Sequence, residues 1–401
     1  MSKNLLILGA GIESLEGYSR AKKLNCKIIA VDKNQNAPSL KFADKYIKAS
    51  IHNYLEILEK IKKKKYKIDG VIAFSDVSLV AAKLSSYLKT NSIHIKSAKL
   101  TSNKFLFKKD MKNFFNIPKF EKIKNLNQIK KLVNKSKKKY ILKPVDNSGA
   151  RGVILIDKHS DLNWAFEYSI KYSRKNYLIA EEFINGPQLS TEGIVFRGEY
   201  IHLCSFDRNY EFVKRYKPFV IENGGSTPSL IAKKNYKKIN YILSKVVKKL
   251  NLKNGTLKGD LVINKNKIYL IEVATRLSGG WLSSVTIPNS VGVNIIDFAI
   301  KNSLGIKINK KEILPKFNNN IVQRYLFPKK GMIKSIRVKN QSLIKNKEVL
   351  SFKIFIKKKL LVERVDSHAS RIGHVIVQSD TCKKGIVLAK KILKSVDIKY
   401  A

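Results

Sequence analysis

Apolar and polar positions fall into two textures along the chain. Residues 5–8 (Leu-Leu-Ile-Leu) are an unbroken apolar run that Gly9-Ala10-Gly11 cuts off. This predicts a short buried strand and a tight turn. A helical pattern over 14–24 leads to the apolar run KIIAVD at 27–32. Residues 54–65 predict a second helix, GVIAF at 70–74 a third strand, and 77–88 a third helix. Strands alternating with helices predict a parallel sheet. Residues 93–100 close this unit.

From Thr101 the pattern changes. A helix is predicted over 101–115, ended by Pro118, and a strand over 140–144 (YILKP). The Gly- and Ser-rich stretch 146–152 (DNSGARG) then leads straight into a partner strand, 153–156, so a hairpin is expected there. A helix over 161–173 and strands over 178–184, 188–196 and 200–207 follow. A long amphipathic helix spans 235–250. A hairpin, 256–264 with 267–273, turns at Asn264-Lys265-Asn266. After a helix at 294–304, strands are predicted near 321–327, 333–338, 359–364 and 373–379, then a helix at 382–395. The Lys/Asn-rich stretch 340–347 reads as a loose loop. The fold class is α/β, with an α+β middle. The domain reading is 1–100, 101–312 with lobes of about 101–180 and 181–312, and 313–401.

Composition narrows the function classes. Hydrophobic residues make up 44% of the 401, which excludes disorder as the main state. Cys26, Cys204 and Cys382 are far apart and form no CxxC pair, so a disulfide scaffold is excluded and a reducing, cytoplasmic setting is expected. No stretch of 18 apolar residues exists, and the apolar N-terminal run is too short for a signal peptide; neither a membrane span nor a secretory leader is expected. Lys+Arg total 80 against 30 Asp+Glu, a net charge of +50. A nucleic-acid partner is one reading of that excess. The lysines are scattered, however, with short runs at 60–65, 137–139 and 357–359 and no Arg-rich arm or zinc-finger spacing. A solvated basic surface without a specific nucleic-acid role is the preferred reading, and it would still attract an anionic small substrate.

Candidate chemistry begins with Gly9-x-Gly11 and Asp32, which imitate a dinucleotide fingerprint. Ser14 occupies the third glycine position, and any doubly wound fold needs a tight turn there, so NAD is not inferred. Four signals in the middle point to ATP instead. Lys143 ends a strand directly before the 146–152 loop, whose bare backbone N–H groups suit a polyphosphate. Glu181-Glu182-Phe183-Ile184 ends a strand before Gly186-Pro187-Gln188, exposing backbone to an adenine edge. The 256–273 hairpin brings Asp260 and Glu272 together, and paired carboxylates on an apolar sheet suit Mg²⁺ (or Mn²⁺) bridging phosphates, unless one of them pairs with a lysine. Arg276-Leu277-Ser278-Gly279-Gly280 then offers a guanidinium for a carboxylate or phosphate, with a buried structural arginine as the alternative.

Together Ser102-Asn103-Lys104, YILKPVDNSGARGV, AEEFINGPQLSTEG and GTLKGDLVIN with IYLIEVATRLSGG resemble the ATP-grasp superfamily, in its branch near biotin carboxylase and phosphoribosylglycinamide synthetase. The resemblance covers the chain. It implies a Rossmann-like preATP-grasp domain, a two-lobed ATP-grasp domain and a small C-terminal α/β domain. It implies that Lys104 and Lys143 contact ATP phosphates and that Ser148, Gly149 and Gly152 belong to the lid. Glu181, Phe183 and Ile184 would frame adenine, and Gln188 would face the ribose where many members have glutamate. Asp260 and Glu272 would hold Mg²⁺, with Ala274 in place of a common third ligand. Arg276 and the Gly279-Gly280 turn would face an acyl-phosphate, the 223–228 loop would cover substrate, and Arg371 and His374 would reach the cleft unless His368 and His374 are packing residues. The implied activity is an ATP-dependent ligase joining a small-molecule carboxylate to an amine, with a thiol as the less favoured acceptor. A carboxylating enzyme using bicarbonate and a basic nucleic-acid-binding protein are the alternatives. A homodimer is left open.

Overall fold

The computed structural model describes residues 2–136, 138–356 and 359–401. Lys137, Lys357 and Lys358, parts of two of the lysine runs, lie outside the described residues. Among the described residues the strands form four sheets.

The first is parallel and comes from β1 (Asn4–Leu8), β2 (Lys27–Asp32), β3 (Lys45–Lys48) and β4 (Gly70–Ala73), in the order β3-β2-β1-β4. Leu5 to Leu8 are fully buried because helices cover both faces, so alternation is absent and the run reads as continuous. The helices are α1 (Leu15–Lys23), α2 (Tyr54–Lys63) and α3 (Ser78–Tyr87). β3 went unread because KYIK carries one buried residue between lysines.

Next come α4 (Ile95–Thr101) and α5 (Lys104–Met111), where the sequence predicted one helix over 101–115. The Asn103 side chain accepts from the Leu106 N–H at 3.0 Å, restarting the helix. The second sheet is antiparallel: β5 (Phe120–Ile123), β6 (Tyr140–Pro144), β7 (Ile154–Ile156) and β8 (Leu178–Glu182), in the order β5-β8-β6-β7. Helices α6 (Leu126–Asn134) and α7 (Leu162–Ile170) pack on it through Ile129, Val133, Ala165 and Tyr168. β5 and α6 were also missed; their polar positions carry lysine and asparagine, which mask short amphipathic stretches.

The third sheet has eight strands. β9 (Gln188–Phe196), β10 (Glu199–Arg208), β11 (Gly225–Thr227), β12 (Gly255–Asn264) and β13 (Lys267–Ala274) form one part, backed by the 20-residue α8 (Leu230–Lys249). α8 starts one turn earlier than the pattern predicted, because Ser229 accepts from the Ala232 N–H at 2.8 Å. After α9 (Ile287–Val291) and α10 (Ile295–Ser303) come β14 (Asn320–Leu326), β15 (Gly331–Val338), the single turn α11 (Gln341–Ile344), β16 (Val349–Ile354), β17 (Leu360–Val362), β18 (Gly373–Ser379), α12 (Cys382–Lys394) and β19 (Val396–Tyr400). The strand order β13-β12-β9-β10-β11-β14-β18-β16 runs on without a break past residue 313, while β17-β15-β19 form a separate sheet. The stretch 340–347, expected to be loose, holds α11, capped by the Asn340 side chain on the Ser342 N–H at 3.1 Å.

Candidate active site

The cleft lies between the second and third sheets. On its upper side Lys143 of β6 and Glu181 of β8 project from one sheet face, because Ile141 pairs with Glu181 and Lys143 with Ile179 in register. Lys143 Nζ lies 2.9 Å from Glu181 Oε1. Lys108, one helical turn after Lys104 on α5, has no solvent exposure; its Nζ lies 3.4 Å from the other Glu181 oxygen and donates to Ile271 O at 2.7 Å. Burial pushes the Lys108 ammonium down to about 8, against the pull of Glu181. Glu181 thus joins two lysines, which is more than the adenine-framing role the resemblance implies for it.

Lys104 Nζ donates to Asn147 O of the loop at 2.7 Å and lies 3.5 Å from Glu272 Oε2. The loop is folded for backbone donation: Gly149, Ala150 and Gly152 have φ of 63°, 59° and 70°. A Cβ on Gly152 would sit 2.8 Å from Pro144 Cγ, so glycine is required there. Among the described residues, the N–H groups of Gly149, Ala150 and Gly152 meet no protein acceptor. The same holds for the N–H of Ile184, just past β8 and next to Phe183. The Gly149 carbonyl accepts from the His368 N–H at 2.9 Å, so the loop touches the C-terminal region.

The lower side is the β9–β12–β13 face. Asp260 and Glu272 stand directly opposite in register, with Ser190 of β9 beside Asp260. Ser190 Oγ donates to Asp260 Oδ1 at 2.6 Å; Lys258 Nζ and Arg208 Nη1 lie 3.2 and 3.3 Å from Oδ2. Burial would raise the Asp260 carboxyl, but Lys258 and Arg208 outweigh it and hold it below the carboxylate range. Glu272 is lowered in the same way: burial opposes, and Lys104 and Lys143 prevail. Lysine pairing, the alternative read from sequence, therefore holds for both carboxylates. It does not exclude a metal, because a divalent ion would compete for the same oxygen atoms with far greater charge density. Among the described residues no three His, Cys, Asp or Glu side chains cluster for a metal. Two carboxylates suit Mg²⁺, which keeps waters and takes its other ligands from phosphates. Gln188 begins β9 opposite Val262, at the cleft end near Ile184.

Beyond β13, Arg276 pairs with Asp76 of the first sheet's region, and Ser278 Oγ donates to Glu192 Oε1 at 2.6 Å. The Gly280 N–H donates to Glu13 Oε2 at 2.7 Å, and its carbonyl accepts from Gln323 and, at 3.0 Å, from Tyr325. Gly280 has φ 65°, and a Cβ there would sit 2.5 Å from the Tyr325 hydroxyl. Arg208 and Arg371 flank Glu222 at 2.9 and 3.4 Å. Arg371 reaches this cleft edge, as the resemblance implied, but His374 does not: it is fully buried beside Trp281, 4.2 Å between rings, and burial pushes it down to about 3. The 223–228 stretch is no free loop either, because residues 225–227 are β11 and Asn223 Oδ1 accepts from the Tyr325 N–H at 2.9 Å. Lys108, Asp76, Glu192, Lys258, Arg208 and Glu222 were not read from sequence. The i,i+4 spacing of Lys104 and Lys108, which places both on one face of a helix, is a signal that could have found Lys108.

The dinucleotide imitation is resolved as well. The Asp32 carboxylate accepts from the Ala10 and Asn34 N–H groups at 2.8 and 2.9 Å, so it braces the turn instead of awaiting a ribose.

Converging lysines, a loop with free backbone N–H groups and a facing pair of carboxylates, brought together where the second and third sheets meet, define a site suited to a polyphosphate. Residues 101–280 match the ATP-grasp domain family, and residues 5–94 match the PylC-like N-terminal domain family. The chain thus contains a match to an ATP-grasp domain over residues 101–280. It is 25% identical over 193 residues to a formate-dependent phosphoribosylglycinamide formyltransferase of Prochlorococcus marinus, covering 46% of this chain and 48% of that protein. The chain thus spans about half the length of the curated relatives it matches. Among solved structures, an L-amino acid ligase from Bacillus licheniformis superposes with a TM-score of 0.83 at 18% identity, over 100% of this chain and 99% of that one. Phosphoribosylglycinamide synthetase from Anaerococcus prevotii superposes with a TM-score of 0.76 at 21% identity, over 100% of both chains. At these identities the likeness concerns the fold. No helix of the described residues is long and apolar enough to cross a membrane.

Proposed function

We propose that the protein is an ATP-dependent ligase that activates a small-molecule carboxylate for attack by an amine. The observation that carries this is the meeting of Lys104 and Lys143 with the Asp260/Glu272 pair across one cleft. A substrate carboxylate oxygen attacks the γ-phosphorus of ATP, the bond to the bridging oxygen breaks, and its electrons leave on ADP. The amine lone pair then attacks the acyl carbon, phosphate departs with the acyl C–O electrons, and the nitrogen loses its proton to solvent. Lys104 and Lys143 neutralise phosphate oxygens, and the free N–H groups of the 146–152 loop cover them. Phe183, Ile184 and Gln188 line the base and ribose end. Arg276 faces the transferring group, released from Asp76 when an anion takes its place. Asp260 and Glu272 would hold Mg²⁺, which when bound draws charge off the phosphates.

The names of the relatives support small-molecule substrates: one is formate-dependent and acts on phosphoribosylglycinamide, another is an L-amino acid ligase. Three unpaired cysteines fit a reducing compartment such as the cytoplasm. Millimolar MgATP should raise the melting temperature by mass action. Glu272→Gln should stay folded, and ADP release should fall by about a hundredfold or more, since the lost charge faces the phosphates. No thermal shift with MgATP, or near wild-type turnover in Glu272→Gln, would overturn this reading.

A further inference from the structure

Glu192 lies in the middle of β9, 2% exposed, opposite Lys258 of β12. Because strand neighbours alternate faces, Glu192, Lys258 and Ala274 form one row across the sheet, and Ser190, Asp260 and Glu272 form the next. The Glu192 carboxylate therefore sits one row behind the two carboxylates facing the phosphates. Its Oε1 accepts from Ser278 Oγ at 2.6 Å. One hydroxyl does not offset the desolvation of a buried carboxyl, so stability alone does not account for it.

Its partner belongs to the turn that carries Arg276. Asp76 holds the head of Arg276, Glu13 and Gln323 hold Gly280, and Glu192 holds the middle through Ser278. We propose that Glu192 is a positioning residue, fixing the Arg276–Gly280 turn from beneath so that the guanidinium meets the transferring phosphoryl group. This rests on the ligase reading above.

The test uses the full chain, MgADP as probe, and MgADP with fluoroaluminate as a stand-in for the transferring phosphoryl group, both titrated by calorimetry. In the wild type, fluoroaluminate should tighten MgADP binding. Glu192→Ala should keep its MgADP affinity within about twofold and lose about tenfold or more of the fluoroaluminate tightening. Glu192→Gln should retain the tightening, because the amide oxygen still accepts from Ser278. Ser278→Ala removes the same bond from the turn side and should reproduce Glu192→Ala, which serves if the alanine at 192 fails to fold. Full tightening in Glu192→Ala or Ser278→Ala would overturn the assignment. So would equal losses of MgADP affinity and tightening, which mark a merely structural residue, and so would failure of Glu192→Gln to rescue. If the wild type does not bind MgADP, the ligase reading itself falls, and this assignment with it.

Discussion

Lys108 and Glu192 are both sealed from water, and burial moves each toward its neutral form: the ammonium down to about 8 and the carboxyl up to about 7. For Glu192, burial is the leading cause, opposed by Lys258 and Ser278. The ordinary value is 4.5, so between 4.5 and about 7 the folded chain keeps a proton that the unfolded chain has lost. Stability from this group is full below the lower value and is lost as pH rises through the upper one. The difference corresponds to about 3 kcal/mol. Glu192→Gln does not titrate. Its stability relative to wild type should therefore rise by about that amount between pH ~4 and pH ~8. Urea midpoints at the two pH values measure this, and an unchanged difference would mean that Glu192 ionises as it does in water. Lys143, Asp260, Glu272 and Arg276 were legible as residues because each stands beside a glycine turn or a facing carboxylate. Glu192 was not, since a single acidic residue inside an apolar strand has no local pattern. Asp76 was not either, since its partner lies 200 positions away.

At the level of elements, the many asparagines do structural work. Asn53, Asn103, Asn125, Asn294 and Asn340 each accept from a backbone N–H at the start of a helix. Asn103 also donates to the Tyr177 hydroxyl at 2.8 Å. It aims α5, and with it Lys104 and Lys108, at the cleft. Asn103→Ala should lower stability by about 1 kcal/mol, the usual loss for a helix cap. It should also weaken MgATP binding by several-fold. An Asn103→Asp variant, which keeps the acceptor, should recover the stability. Denaturant unfolding and calorimetry read the two effects; a stability loss with unchanged MgATP affinity would mean that α5 is aimed by its packing alone. Long periodic stretches such as α8 and the β12–β13 hairpin were legible. The strands β3 and β5 were not, because the charged residues beside their buried positions leave too few apolar residues to show a period. Helix ends missed where a polar residue, Ser229 or Asn103, decided the boundary through its cap.

For the whole molecule, charge is sorted by depth. Glu181, Glu192, Glu222, Asp260 and Glu272 gather in and around the cleft, while most lysine heads face water. With +50 overall, the outer surface is more basic than the composition alone conveys. Such a field attracts a polyphosphate and also binds DNA at low salt. Duplex DNA affinity should fall steeply between about 50 and about 200 mM salt, without sequence preference, as released counterions lose their effect. Filter binding or fluorescence anisotropy over that range checks it. Sub-micromolar, sequence-selective binding at physiological salt would make nucleic acid the partner instead.

The eight-stranded sheet is threaded in an order that matters while the chain is being made. β9 to β13 leave the ribosome before β14, which must then slot beside the three-residue β11. Until it does, β11 is a bare edge, and Gly225 O lacks the Arg324 guanidinium that donates to it at 2.9 Å. The Gly280 carbonyl likewise lacks Gln323 and Tyr325. A nascent chain stalled before β14 thus carries the strands of the candidate site with the Arg276–Gly280 turn still unbraced. Such an intermediate exposes a strand edge open to mispairing, and on the ligase reading proposed above its ATP turnover would have to wait until β14 has emerged and paired.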